Sequence, residues 1–163
     1  MESKVKVLGH PIHPMLIVVP LGSLIAAVVF DTLYLWLENA SFATVGYWNI
    51  AVGVVGGLVA AVFGLIDWTA IPNGTRAKRI GLLHGGSMVS VVALFALAWW
   101  IRYNSVDTTP TTNVYFLELG ALAWGVVGGW LGGELVDRLG VGVDNGAHLD
   151  APNSLAGPVA RST

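Results

Sequence analysis

The sequence contains no cysteine. This absence excludes disulfides, thiolate metal sites, iron–sulfur clusters and cysteine nucleophiles together. Charged residues are also scarce, at 11% of the chain, where an ordinary soluble domain has about 25%. Eight basic and ten acidic residues give a net charge of −2, so the chain lacks the basic surface that attracts nucleic acid. We therefore expect no nucleic-acid partner.

Hydrophobic residues, by contrast, make up 55% of the 163 residues and collect in four long stretches. Each stretch is close to or above the roughly 20 residues with which a helix crosses a bilayer. Buried helices of a soluble bundle would keep a polar stripe, which residues 89–101 lack. We predict an all-α membrane protein, a four-transmembrane-helix up-down bundle over residues 1–139, followed by a polar C-terminal tail over 140–163. The predicted helices cover residues 15–36, 47–71, 80–101 and 114–135.

Basic residues in the short flanks of these helices predict the orientation. If the N-terminus lies inside, seven Lys and Arg residues fall on the inner side, and Arg102 falls on the outer side. Tyrosines and tryptophans at the outer helix ends agree with this orientation. The prediction is a multi-pass protein, N-in/C-in, with both termini cytoplasmic. The inner basic residues are Lys4, Lys6, Arg76, Lys78, Arg79, Arg138 and Arg161.

Ionisable side chains inside membrane helices are costly and mark candidate functional sites. Asp67 and His84 each lie four residues from the inner end of their predicted helix, so they share a depth. His13 directly precedes Pro14, a residue that suits the first position of a helix. Because the first and third helices both start inside, we expect His13 and His84 to converge at one level.

This pair of histidines has two candidate uses. In the first, His13 and His84 bind the iron of a haem b from opposite faces, with Arg76 and Arg79 near its propionates. In the second, the cluster holds a divalent transition metal such as Zn, Fe or Cu. The ligands of that metal site would be His10, His13, Asp67 and His84.

Structural roles for the same residues stay open beside these uses. His10 and His13 fit an interfacial segment, and His84 would be satisfied by a hydrogen bond to Asp67. The sequence has neither a CxxCH nor an HExxH motif. It also has no arrangement typical of nucleophilic catalysis, so it leaves open whether the protein is an enzyme.

A second polar layer is predicted on the outer side. Asp31 and Glu118 share a depth there, with Arg102 above them. An ordinary ion pair and a proton or cation relay both fit this layer. His148 lies in the polar tail, where a solvated histidine is the simplest interpretation. No convincing internal repeat is visible.

Several short motifs carry a family resemblance. They are GHPIHPM at residues 9–15, PLG at 20–22, GLIDW at 64–68, GLLH at 81–84 and GAHLDAPN at 146–153. The chain resembles a family of bacterial membrane proteins called domain of unknown function twenty-two thirty-one. The resemblance implies a four-helix protein of the bacterial inner membrane. Some members are similar in architecture to membrane partners of Rieske-type domains, which implies a role in electron transfer.

The sequence therefore favours a small membrane redox component that binds haem b and exchanges electrons with a quinone or a protein partner. The first alternative is a non-haem metal-binding or transport-associated protein that uses the same cluster. The second is a structural subunit of a larger membrane complex. A homo-oligomer would use the small residues of the fourth helix, Ala121, Gly125, Gly129 and Gly133.

Overall fold

The structure is a computed structural model that describes residues 1–105 and 107–155. Within those residues, four helical segments are long and apolar enough to cross a membrane. The predicted all-α membrane bundle is confirmed. Residues 156–163 of the predicted tail, Arg161 included, lie outside the described residues. The four spans are Ile12–Leu37, Ala40–Ala70, Arg76–Tyr103 and Thr112–Arg138.

The first span is preceded by a short antiparallel ladder. Strand β1 (Lys6–Val7) pairs with β2 (His10–Pro11), and Gly9 between them has a φ of 82°, which only glycine adopts readily. Helix α1 (Ile12–Leu16) follows at once, and α2 (Val18–Leu37) continues in the same direction after a break at Ile17. The ladder therefore leads the chain directly into α1, which carries His13.

The second span, α3 (Ala40–Ala70), begins seven residues before the predicted start at 47. Asn39 caps it, because its side chain accepts a hydrogen bond from the Ser41 amide at 3.0 Å. The polar Thr44 is tolerated in the added turns because its hydroxyl donates to the Ala40 carbonyl. The connection from α2 is thus reduced to Glu38 and Asn39, and the first two spans form a tight hairpin.

The last two spans form a second hairpin. Thr75 caps α4 (Arg76–Tyr103), and Thr111 caps α5 (Thr112–Gly133). Each threonine accepts a backbone N–H three residues ahead. Helix α5 continues as a π-helical segment, Glu134–Arg138. Both helices begin a few residues before their predicted starts, because the capping threonines lie outside the apolar stretches.

The core lies between the two hairpins, where glycines allow helices to approach closely. A β-carbon at Gly53 would lie 2.6 Å from Leu24 Cγ, and one at Gly57 would lie 2.7 Å from a Val92 methyl group. Small residues in the second helix therefore serve packing inside one bundle. The fully buried apolar side chains at the centre include Ala27, Ile50, Phe95 and Ala98.

Candidate functional site

The structure brings His13 and His84 together at one end of the bundle. We call this the basic end, formed by residues 1–11, 71–79 and 134–155. The two imidazole centroids are 6.5 Å apart, and the ring planes are nearly perpendicular, at 87°. Both side chains are half-buried. The expected convergence of two imidazoles from the first and third spans is therefore present in the structure.

Each of these imidazoles is fixed by a backbone carbonyl. His13 Nδ1 lies 2.9 Å from the Ala60 oxygen, and His84 Nδ1 lies 2.8 Å from the Gly128 oxygen. Because a carbonyl oxygen can only accept, Nδ1 is the donor in both rings, and Nε2 has a lone pair whenever the ring is neutral. The same second-sphere hydrogen bond orients histidines that bind metals. Both rings are thus prepared to bind an electrophile through Nε2.

A glycine makes room for each ring. A β-carbon at Gly64 would lie 2.8 Å from His13 Cε1, and one at Gly132 would lie 3.1 Å from His84 Cε1. Each glycine stands one helical turn after the residue whose carbonyl accepts the Nδ1 proton. Sequence reasoning missed both glycines, because it considered glycine spacing only as a device for helix packing.

Asp67 and His10 are not part of this pair. Asp67 accepts hydrogen bonds from the Ser3 hydroxyl, at 2.7 and 2.8 Å, and from the Lys4 amide at 2.7 Å. It therefore anchors the N-terminal segment rather than bonding to His84, whose partner is the Gly128 carbonyl. Exposed His10 has Nε2 at 3.4 Å from the Ser154 hydroxyl. Across residues 1–105 and 107–155, no group of three or more His, Cys, Asp or Glu is placed to hold a metal.

The basic turn after α3 is held by its own side chains. Lys78 Nζ lies 3.9 Å from the Trp68 ring centroid and donates to the Trp68 carbonyl, whereas Trp68 Nε1 donates to the Lys78 carbonyl. Arg76 pairs with Glu134 of the π-helical segment at 2.5 Å. Arg79 is exposed on the same turn. Arg76, Lys78 and Arg79 lie in the first turn of α4 and place positive charge at the basic end.

The described part of the tail lies against the N-terminal segment. The Met1 ammonium donates to the Gly140 carbonyl at 2.7 Å, and the Gly142 amide donates to the Met1 carbonyl at 2.8 Å. Lys6 Nζ forms ion pairs with Glu2 and Asp144, at 2.6 and 3.3 Å. From the sequence we expect a surface tail that is ordered only by a bound partner. The structure shows that residues of this chain provide those contacts.

The docking of the tail is expected to weaken in acid. Hydrogen bonds from Lys6 and from the Asn145 amide lower the pKa of Glu2, and bonds from the Gly146 amide and Lys6 lower the pKa of Asp144. The ordinary pKa values are 4.5 for Glu2 and 3.8 for Asp144. Because docking lowers both, the ionised carboxylates stabilise the docked tail fully at a pH above these ordinary values. This stabilisation is lost as the pH falls through the lowered pKa values of the docked state.

A nitroxide at Ala147→Cys, in a chain that has no other cysteine, measures this release. We expect its electron paramagnetic resonance spectrum to stay broad down to a pH of about 4.5 and to sharpen as the pH falls from there to about 2. Asp144→Asn should sharpen the spectrum already at neutral pH, whereas Asp150→Asn, at an exposed position of the same tail, should not. A spectrum that stays unchanged down to a pH of about 2 would contradict the ionic contribution.

A second polar cluster lies at the opposite end of the bundle. We call this the aromatic end, formed by residues 31–44, 99–105 and 107–118. Arg102 Nη1 lies 2.7 Å from Asp31 Oδ2 and 3.4 Å from Glu118 Oε1, and all three side chains are fully buried. Arg102 also donates to the Ala43 and Thr108 carbonyls. The sequence places Arg102 above the two acids, but it lies among them, so the ion-pair interpretation of this layer is confirmed.

Comparison with known proteins gives one match. A family model described as "Predicted membrane protein (DUF2231)" matches residues 9–145. This range includes both histidines, their glycines and the buried acid cluster. No curated protein and no solved structure matches the chain significantly.

Proposed function

The chain belongs to the DUF2231 family of predicted membrane proteins, and we propose that it is a small membrane redox component that binds haem b through His13 and His84. One observation carries the proposal. Two imidazoles from different spans lie side by side, and each has its Nδ1 proton on a backbone carbonyl and its Nε2 lone pair free. Histidine ligands of metals are oriented in this way.

The separation of the two rings supports a shared metal. Imidazole nitrogens bound at about 2 Å on opposite sides of one metal ion leave the ring centroids roughly 6 Å apart. The observed separation is 6.5 Å. The centroid separation is therefore compatible with both rings binding one ion.

The other candidate ligands already have partners elsewhere in the chain, which favours haem over a metal ion held by protein ligands alone. Asp67 is bonded to the N-terminal segment and His10 contacts the tail, so the pair supplies two protein ligands. The two histidines would hold the iron of a haem b, whose porphyrin would supply the other ligands and which would support one-electron transfer. Arg79 is exposed near the start of α4 and carries the positive charge that suits a propionate, whereas Arg76 would have to leave Glu134 to contribute.

We further propose a location in the bacterial inner membrane with both termini cytoplasmic. Basic residues at the basic end support this orientation. Arg102, the basic residue assigned to the aromatic end, is fully buried beside two acids, so it adds little positive charge to that surface. Haem near the cytoplasmic interface would exchange electrons with a quinone or a redox protein.

A non-haem divalent metal is the second candidate, because the free Nε2 lone pairs suit any first-row transition metal. A structural role in a larger complex or a homo-oligomer is the third. Among the described residues, none outside the neighbourhood of Gly129 on α5 lies within 4 Å of its β-carbon position, which leaves that side of the helix open to lipid or to another protein.

An absorption spectrum tests the haem proposal. We expect protein purified from haem-replete cells to show a Soret band that His13→Ala and His84→Ala remove. His10→Ala and His148→Ala, at exposed positions, serve as matched controls and should keep the band. A wild-type protein without the band, or a His84→Ala variant with an unchanged band, would refute the proposal. Stoichiometric Zn, Cu or Mn without porphyrin would favour the second candidate.

A further inference from the structure

The buried cluster at the aromatic end is built by three of the four spans. Asp31 comes from α2, Arg102 from α4 and Glu118 from α5, and each side chain has a solvent exposure of 0%. The guanidinium distributes its donors over four acceptors: Asp31, Glu118 and the Ala43 and Thr108 carbonyls. The contact to Asp31 is short, at 2.7 Å, and the contact to Glu118 is long, at 3.4 Å.

The charges of this cluster do not balance if both acids are ionised. One guanidinium then faces two carboxylates, which leaves one negative charge uncompensated inside an apolar bundle. An unpaired buried charge is costly enough that such groups are normally neutralised. The cluster therefore requires one further positive charge.

Two carboxyl oxygens point to the form of that charge. In the part of the chain that the structure describes, Asp31 Oδ1 and Glu118 Oε2 are buried without a hydrogen-bond partner. The two carboxyl groups contact the same guanidinium nitrogen, Arg102 Nη1, so they lie close together. Ionised carboxylates only accept hydrogen bonds, whereas a protonated one also donates. A single proton on one acid would supply the missing charge and allow the acids to bond to each other.

None of the surrounding groups named below replaces the two acids as the site of this proton. Helix α3 contributes the Tyr47 phenol, whose ring centroid lies 5.8 Å from the Arg102 guanidinium carbon. Helix α5 contributes Tyr115, which is bonded to the Thr32 hydroxyl of α2 at 2.9 Å. A phenol is neither a basic group nor a carboxyl group. The loop that supplies the Thr108 carbonyl carries Asp107, which is exposed and bonded to Thr109.

We propose that Glu118 holds an exchangeable proton at neutral pH, with Asp31 as the ionised partner of Arg102. Asp31 is the ionised member because it makes the short contact to the guanidinium. The aromatic end of the bundle then contains a proton-binding site, separate from the histidine pair at the basic end. This proposal does not rest on haem binding, because none of its residues belongs to that pair.

Infrared difference spectroscopy of the full chain in lipid nanodiscs tests the proposal. We expect a carbonyl band of a protonated carboxyl group at pH 7, a shift of that band in D₂O, and its loss in Glu118→Gln. The amide of this variant keeps the shape of the side chain and leaves Asp31 and Arg102 balanced in charge. Asp137→Asn, at an exposed position, is the matched control and should keep the band.

Each other result overturns the proposal. Absence of the band in the wild-type protein would mean that no acid is protonated. A band that survives in Glu118→Gln and disappears in Asp31→Asn would place the proton on the wrong acid. If Glu118→Gln does not fold, Glu118→Asp replaces it: we expect the carbonyl band to shift in frequency in this variant, and an unchanged band would overturn the assignment to Glu118.

Discussion

Arg102→Met is expected to lower the free energy of unfolding by about 3–5 kcal/mol, the usual loss when one partner of a buried ion pair is removed. The variant leaves the carboxylate of Asp31 fully buried beside Glu118 without a countercharge. It also leaves the Ala43 and Thr108 carbonyls without the donors that Arg102 supplies. Reversible unfolding in detergent, followed by the fluorescence of the seven tryptophans, measures the loss.

Arg138→Met is the matched control for this variant. Arg138 is exposed in the π-helical segment, so we expect a change within about 0.5 kcal/mol. A triple variant, Arg102→Met with Asp31→Asn and Glu118→Gln, replaces every ionisable group of the cluster and should recover part of the loss, because a neutral replacement of a buried ion cluster is tolerated better than a broken one. If Arg102→Met is as stable as Arg138→Met, the cluster does not stabilise the fold.

The four spans were predictable because lipid restricts which residue types a helix can carry across the membrane. It restricts much less the residues at which a helix begins and ends. Hydrocarbon excludes charged side chains over about 20 residues, and the four apolar stretches record that exclusion. The helix ends carry no such record. Asn39 and Thr75 begin α3 and α4 by capping, and the polar first turns of these helices lie outside the apolar stretches. The prediction therefore found all four spans and made the helices too short.

Depth in the membrane was also predictable, whereas direction around each helix was not. His13 and His84 were expected at one level, and there they lie side by side. Asp67 was placed at the same level, but its carboxylate bonds to Ser3 and Lys4. Each residue turns about 100° around a helix axis relative to the previous one. An error of a few residues in a helix start does not change depth much, but it leaves the direction of a side chain undetermined.

The partners of the histidines were not predictable because they belong to the backbone. The carbonyls of Ala60 and Gly128 accept the Nδ1 protons, and every residue of a helix has such a carbonyl. Gly64 and Gly132 carry a weak signal, since each follows its acceptor residue by one helical turn. Only the observed contacts show that these two glycines, among the 21 of the chain, face the rings.

Gly64→Ala is expected to displace the His13 ring and to reduce cofactor binding by about 10–100-fold, as the loss of a second-sphere contact does in metal sites. The added β-carbon would lie 2.8 Å from His13 Cε1, which is too close, so the ring must turn away from its carbonyl partner. Gly132→Ala should have a smaller effect on His84, because the corresponding distance is 3.1 Å. Titration with haemin measures the affinity of each variant.

Gly129→Ala separates displacement of a ring from a general effect on the helix. No atom from elsewhere in the described chain lies within 4 Å of a β-carbon at Gly129, and alanine raises helix propensity by up to about 1 kcal/mol over glycine. This variant should therefore bind haemin as the wild-type protein does.

Nitrogen NMR of the four histidines, labelled with nitrogen-15, detects the hydrogen bond from the His13 ring without any cofactor. Gly64→Ala should move the Nδ1 signal of His13 and leave that of His84 in place. If neither signal moves, the glycine does not seat the ring, and any loss of binding in Gly64→Ala must come from another cause.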